Sequence, residues 1–175
     1  MTVKDIFSLP DGERAELIDG QIYYMAPLSR THQQIMGSLY RKIADYIDSE
    51  DNSSEVEVAP FAVFLNADDK TCVEPDICVI CDSSKVDDQG CNGAPDWIIE
   101  IISPGSRHMD YFIKLFKYQS SGVREYWIAD PSKGRVTVYN FEKQTFEEYF
   151  FEEDIPVGIY EGFQFSLGYV GSWER

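Results

Sequence analysis

An α/β fold built on a mixed β-sheet is what this sequence predicts, from three observations. Through residues 29–49 apolar side chains recur every three or four positions, as one buried helix face requires. Residues 97–102 and 125–129 are apolar on both faces, which marks central strands covered from both sides. Beyond Arg135 apolar and polar residues alternate, the pattern of an antiparallel tail with one face covered.

The elements follow in order. Glu16-Leu17-Ile18-Asp19-Gly20-Gln21-Ile22-Tyr23 reads as two short strands joined at Asp19-Gly20, because both turn residues tolerate positive φ. Ile35, Leu39, Ile43, Tyr46 and Ile47 define the face of the first helix, which the polar run from Asp51 to Ser54 ends. Residues 56–65 and 73–80 are strand-like and separated by the polar turn 66–70, and 82–95 reads as a charged, flexible loop. After the 97–102 strand, Ser103-Pro104-Gly105-Ser106 breaks the chain before a second helix over about 107–121. Projected at 3.6 residues per turn, that helix buries Tyr111, Phe112, Leu115, Phe116 and Tyr118 and leaves Asp110, Lys114 and Lys117 on the other side. Gly122 suits the left-handed position after its last turn. Residues 136–139 and 145–150 then form an antiparallel hairpin, with a last short strand at 162–165.

The length, 175 residues, suits one domain over 1–175, with a core at about 10–140 and the antiparallel tail at 135–175. No apolar run approaches the roughly 20 residues that span a bilayer, so no membrane partner is expected. No signal-like stretch follows Met1, which points to the cytoplasm. In a reducing compartment Cys72, Cys78, Cys81 and Cys91 are expected as free thiols. Cys78-x-x-Cys81 has the spacing of a zinc pair, but alternation along a strand points the two apart and no His lies nearby.

Two acids stand where acids are costly. Glu100 lies among Ile98, Ile99, Ile101 and Ile102, and Asp76 lies on the strand-like run 73–80. A buried carboxylate must be paired or bound to a metal. If the strands are neighbours, the two could share a hard divalent cation, for which one or two carboxylates suffice. The other reading is a buried pair between Glu100 and Arg or Lys. Lys114 sits at the edge of the helix face and could direct its ammonium into the sheet edge, or form an ordinary surface pair with Asp110.

The ordered set of motifs extends these readings. Glu16-Leu17-Ile18-Asp19-Gly20, Pro27 and His32, Glu74-Pro75-Asp76, and Glu100-Ile101-Ile102-Ser103-Pro104 come first. They are followed by Asp110-x-x-x-Lys114-x-x-x-Tyr118 and by the run from Gly122 to Pro131. Together they resemble the Uma family of "putative restriction endonucleases", within the PD-(D/E)XK nuclease superfamily. The resemblance implies a restriction-endonuclease-like mixed β-sheet flanked by helices, with a C-terminal antiparallel hairpin. It also implies a magnesium- or manganese-dependent endonuclease hydrolysing DNA phosphodiester bonds. Asp76 and Glu100 match the metal-binding acids, and Glu16 matches an additional ligand or water-positioning group. The superfamily's usual lysine, two residues past the second acid, falls on Ile102, and the relatives that carry it on the next helix match Lys114. His32 and Gln34 lie on the first helix within possible reach of such a site, with a structural role expected for His32. Tyr126 and Trp127 are expected in the core.

Cutting both strands of a duplex needs two sites, so a homodimer is expected, with Phe141, Phe146, Tyr149, Phe150 and Phe151 as candidate contacts. The alternative is a catalytically weak or inactive nuclease-fold scaffold. Enzymes acting on small phosphorylated metabolites find no support, since no phosphate-binding Gly-rich loop or nucleophile elbow is present.

Charge bears on the substrate. The formal net charge is −16, and an acidic surface repels phosphate at long range. Yet residues 103–135 carry six basic against three acidic side chains, net +3, while the remainder carries nine against 28, net −19. The positive charge is concentrated beside the proposed lysine, so the local potential there can oppose the overall field.

Overall fold

Six strands make the central sheet in a computed structural model that describes residues 1–50, 53–66 and 68–168. In chain order the elements are α1 (Val3–Phe7), β1 (Ala15–Ile18), β2 (Gln21–Tyr24), α2 (Arg30–Ser49), β3 (Glu55–Val58), β4 (Val63–Phe64), β5 (Ile77–Ile80), β6 (Val86–Asp87), β7 (Gly90–Asn92) and β8 (Trp97–Ile101). A π-helical segment, Met109–Lys114, then runs into α3 (Leu115–Ser121), followed by β9 (Glu125–Asp130), β10 (Arg135–Asn140), β11 (Thr145–Phe150), β12 (Ile155–Pro156) and β13 (Gln164–Phe165). The sheet order is β11-β10-β9-β8-β5-β3. Only β8 and β9 pair in parallel within it, as the helix between them dictates, and every other pairing is antiparallel. This is the mixed sheet expected, with antiparallel pairs at its C-terminal end.

Alternation along β8 sorts the molecule into two layers. Trp97, Ile99 and Ile101 pack with Ile35, Met36, Leu39, Ile43 and Ile47 of α2. Ile98 and Ile102 pack instead with Tyr118, Tyr126 and Ile128. The α2 face follows the predicted periodicity, and burying such side chains stabilises the fold by about 1.5–3 kcal/mol each. Ser29 begins the helix where expected, its hydroxyl accepting the His32 backbone N–H at 3.2 Å. The expected stop at Asp51-Asn52 lies outside the described residues. The β1–β2 hairpin turns at Asp19 and Gly20, both at positive φ. Gly122, at φ 95°, ends α3 in the left-handed conformation.

Three expectations are corrected. The 56–65 run is two strands, β3 and β4, interrupted at Ala59-Pro60. Residues 82–95 are no open loop, since β6 and β7 form a hairpin whose second strand pairs in parallel with β4. The second helix buries Tyr118 as expected, with Tyr111 and Leu115 half-buried beside it, but the rest of its face is displaced. Phe112 and Phe116 are 65% and 71% exposed, whereas Asp110, Lys114 and Lys117 are buried. The wider i→i+5 turn of the π segment rotates less per residue than an α-helix, so the face inferred at 3.6 residues per turn does not hold. The four cysteines are free thiols, and Tyr126 and Trp127 lie in the core. Of the tail aromatics, Phe146 and Phe150 are exposed on the edge strand β11, while Phe151 is fully buried.

Candidate active site

Residues from β1, α2, the start of β5, β8, the π segment and α3 come together in the site. Asp76 lies immediately before β5, where the antiparallel ladder with β8 runs out beyond the Ile77–Ile99 pair. Its carboxylate takes the place of the missing backbone partner, and the Ile101 N–H donates to Asp76 Oδ2 at 2.7 Å. His32 Nε2 reaches the same oxygen at 3.0 Å from the first turn of α2. Glu100 projects from β8 toward the π segment and α3, the opposite face to Trp97 and Ile99. Glu100 Oε1 accepts from Lys114 Nζ at 2.8 Å and from the Tyr118 hydroxyl at 2.7 Å. From β1, Glu16 Oε1 accepts the Glu74 N–H at 2.9 Å and lies 2.9 Å from Lys114 Nζ. Asp110 Oδ1 stands 3.9 Å from the same ammonium.

Asp76, Glu100, Glu16 and Lys114, the residues singled out from sequence, therefore line one cavity of about 300 Å³. Asp110 and His32 line it too, and sequence reasoning placed the first on the solvent face and the second in a structural role. The i, i+4, i+8 spacing of Asp110, Lys114 and Tyr118 carried the signal, for such residues share a helical face. Lys117, also assigned to solvent, is 8% exposed and donates to Asp19 Oδ1 at 2.5 Å. Among the described residues no three His, Cys, Asp or Glu side chains form a preformed metal cage. The oxygens of Glu16 and Glu100 are turned onto Lys114 instead.

Electrostatics explain what this cluster lacks. Burial would strip Lys114 of its proton, but Glu100, Glu16 and Asp110 outweigh burial and hold the ammonium well above its ordinary range. Burial pushes the Glu100 carboxyl well up, and repulsion from Asp110, Asp76 and Glu16 adds to what Lys114 fails to offset. Asp110 is raised for the same reason, burial first, against the pull of Lys114 and a hydrogen bond with Ser106. Asp110 Oδ2 is buried without a hydrogen-bond partner. One ammonium thus faces three carboxyl groups, those of Glu100, Glu16 and Asp110, with Asp76 on the same cavity, and the site is short of positive charge. A hard divalent cation fits that deficit, since it needs one or two carboxylates and completes its shell with water and phosphate oxygens. Both hydrogen bonds to Asp76 land on Oδ2, and both to Glu100 land on Oε1.

Comparison with known proteins gives the family and the fold. Residues 3–168 match the model of the Uma2 family, described as "Putative restriction endonuclease". A crystal structure of an Anabaena variabilis protein, described as a "putative nuclease belonging to DUF820", superposes with a TM-score of 0.78 at 21% identity. The match covers 99% of this chain and 98% of that one, so the two share a fold. None of the curated proteins compared with the chain matches it. With 166 of its 175 residues inside the family match, the chain belongs to the Uma2 family of restriction-endonuclease-like proteins.

Proposed function

We propose that the chain is a metal-dependent endonuclease that hydrolyses DNA phosphodiester bonds at the cluster of Asp76, Glu100 and Lys114. The observation that carries this reading is one buried ammonium within 4 Å of three carboxylates, those of Glu100, Glu16 and Asp110, in the wall of a cavity that Asp76 also lines. Asp76 and Glu100 are the residues that would hold magnesium or manganese, with Glu16 adding to the shell directly or through water. When bound, such an ion polarises the phosphoryl group and lowers the pKa of a coordinated water.

The chain's own residues do the rest. His32 and the Ile101 N–H fix the Asp76 carboxylate, and the Tyr118 hydroxyl fixes that of Glu100. Lys114, kept protonated by its acidic neighbours, orients the attacking water and offsets charge developing on the phosphorane-like transition state. Ile102, at the strand position where the superfamily carries its lysine, is 7% exposed and inert. Lys114 brings an ammonium to Glu100 from the helix instead, which supports turnover over the alternative of an inactive scaffold. A homodimer would cut both strands of a duplex, and light scattering checks that state.

Plasmid nicking with magnesium or manganese tests the assignment, comparing wild type with Asp76→Ala, Glu100→Ala and Lys114→Ala. All three losing activity is the expected result, and equal cleavage by all would sink it. Calorimetry showing metal binding without cleavage of DNA or RNA, over broad salt screens, would favour the scaffold.

A further inference from the structure

The cavity that holds Lys114 is acidic on one part of its wall only. Tyr23, Tyr24, Met25, Leu28 and Met109 line it as well, and none of them carries a charge. Strand β2 brings the first two beside the acids. Tyr23 is the antiparallel partner of Glu16, and side chains paired across two strands share a face, so its ring stands next to the Glu16 carboxylate. Tyr23 also packs, with Met109, against the core cluster around Tyr118 and Tyr126. The ring is therefore half-buried and backed by other side chains. Tyr24, the last residue of β2, is 68% exposed and extends the apolar wall to the mouth of the cavity. Elsewhere the lining is small, with Ser103, Gly105 and Ser106, and a Cβ on Gly105 would meet nothing within 4 Å. Room for a flat group is left beside the acids.

Phosphate and sugar oxygens gain nothing from an apolar wall. The flat apolar surface of a nucleic acid is the face of a base, and in a duplex its neighbours cover both faces. Only an unpaired base, in a single strand or swung out of a duplex, can offer that face to a side chain. Charge argues in the same direction. On a chain of net charge −16 attraction for the phosphate backbone is weak. Stacking on an aromatic ring draws on no net charge and accepts any base.

We propose that Tyr23 is the stacking platform for an unpaired base adjoining the scissile phosphate, so that the chain cuts DNA where its bases are unpaired. The inference rests on the nuclease reading above and adds to it the strand state of the substrate and the residue that selects it.

Substrates of one length test it. With magnesium, kcat/KM is measured for a single-stranded oligodeoxynucleotide, for the same strand in a fully paired duplex, and for a strand of tetrahydrofuran residues, which keeps the phosphates and lacks the bases. Wild type is expected to cut the single strand about tenfold or more faster than the duplex, which must first unstack a base, and than the base-free strand. Tyr23→Leu keeps an apolar contact with the core and loses the ring, whereas Tyr23→Phe keeps the ring. The ratio of base-bearing to base-free rates should fall about tenfold in Tyr23→Leu, carried by KM, and return in Tyr23→Phe. The slope of log kcat/KM against log salt should stay at its wild-type value in Tyr23→Leu, because no charge is removed. The wild-type comparisons hold whether or not the variants fold. Wild type that cuts the duplex as fast as the single strand, or the base-free strand as fast as the base-bearing one, would overturn the platform and leave the nuclease reading intact. A folded Tyr23→Leu with an unchanged ratio would do the same. Wild type that cleaves no nucleic acid would overturn the nuclease reading and this inference with it.

Discussion

Lys114 Nζ and Glu100 Oε1 meet at 2.8 Å, 14 residues apart in sequence, across the gap between helix and sheet. Glu16 and Asp110 complete the surroundings of the ammonium, and both partners of the central pair are about 95% buried. Such a pair is far more costly to break than to have, because the survivor is left as a buried, uncompensated charge. Lys114→Met is therefore expected to lower stability by about 3–5 kcal/mol at neutral pH, read from urea unfolding. Added magnesium should restore part of that loss, since binding to the folded state stabilises by mass action. A variant that ignores magnesium would speak against a cation site at these carboxylates.

Asp130 gives an acid-range prediction. Its side chain is 1% exposed and accepts from Arg107 and from both the backbone and hydroxyl of Ser132. Burial works to raise its pKa, but those hydrogen bonds and the Arg107 charge outweigh burial and hold the carboxyl below its usual range. The folded state thus binds this proton more weakly than the unfolded one. Its stabilising contribution is complete above about pH 3.9, the ordinary aspartate value, and is lost as pH falls through the depressed folded value. Asp130→Asn should cost about 1–3 kcal/mol at neutral pH. The difference from wild type should shrink on acidification below the ordinary value, in urea unfolding followed as a function of pH.

The sequence makes some of this architecture legible and hides the rest for identifiable reasons. The α2 face and the strands around Ile99 and Trp127 are readable because apolar burial there follows a simple period. Glu100 stands out as an acid in an apolar strand. Lys114 is singled out by resemblance more than by pattern, and Asp110 and His32 are passed over. All three sit in a polar interior, where the rule of apolar residues inside does not apply. The β6–β7 hairpin is hidden because its turn, Asp87 to Gly90, is as polar as any loop, and what orders it is long-range pairing with β4.

That pairing rests on Gly90, which has φ of 143°. A Cβ built there would lie 2.1 Å from the Ala62 carbonyl oxygen, the acceptor of the neighbouring Cys91 N–H at 2.9 Å. No side chain fits without moving backbone. Gly90→Ala is expected to destabilise by at least about 1–3 kcal/mol, the usual cost of a strained backbone position. Thermal unfolding checks this, and a midpoint equal to wild type would show that β7 can part from β4 freely.

The exposed Phe112 and Phe116 make the sharpest contrast with a pattern-based reading. Were Phe112 and Phe116 core residues, truncating either would remove a buried ring and cost about 3–5 kcal/mol. With 65% and 71% of their surface exposed, Phe112→Ser and Phe116→Ser should each change stability by about 0.5 kcal/mol or less. Tyr118→Phe, on the opposite face, deletes only one oxygen, yet that hydroxyl donates to Glu100 Oε1 at 2.7 Å. Its removal strips a hydrogen bond from a buried carboxylate and should cost about 1.5–3 kcal/mol, the range for bonds to charged groups. One oxygen on Tyr118 is thus expected to outweigh the whole ring of Phe116 in urea unfolding, and the reverse order would return Phe116 to the core that its apolar pattern suggests.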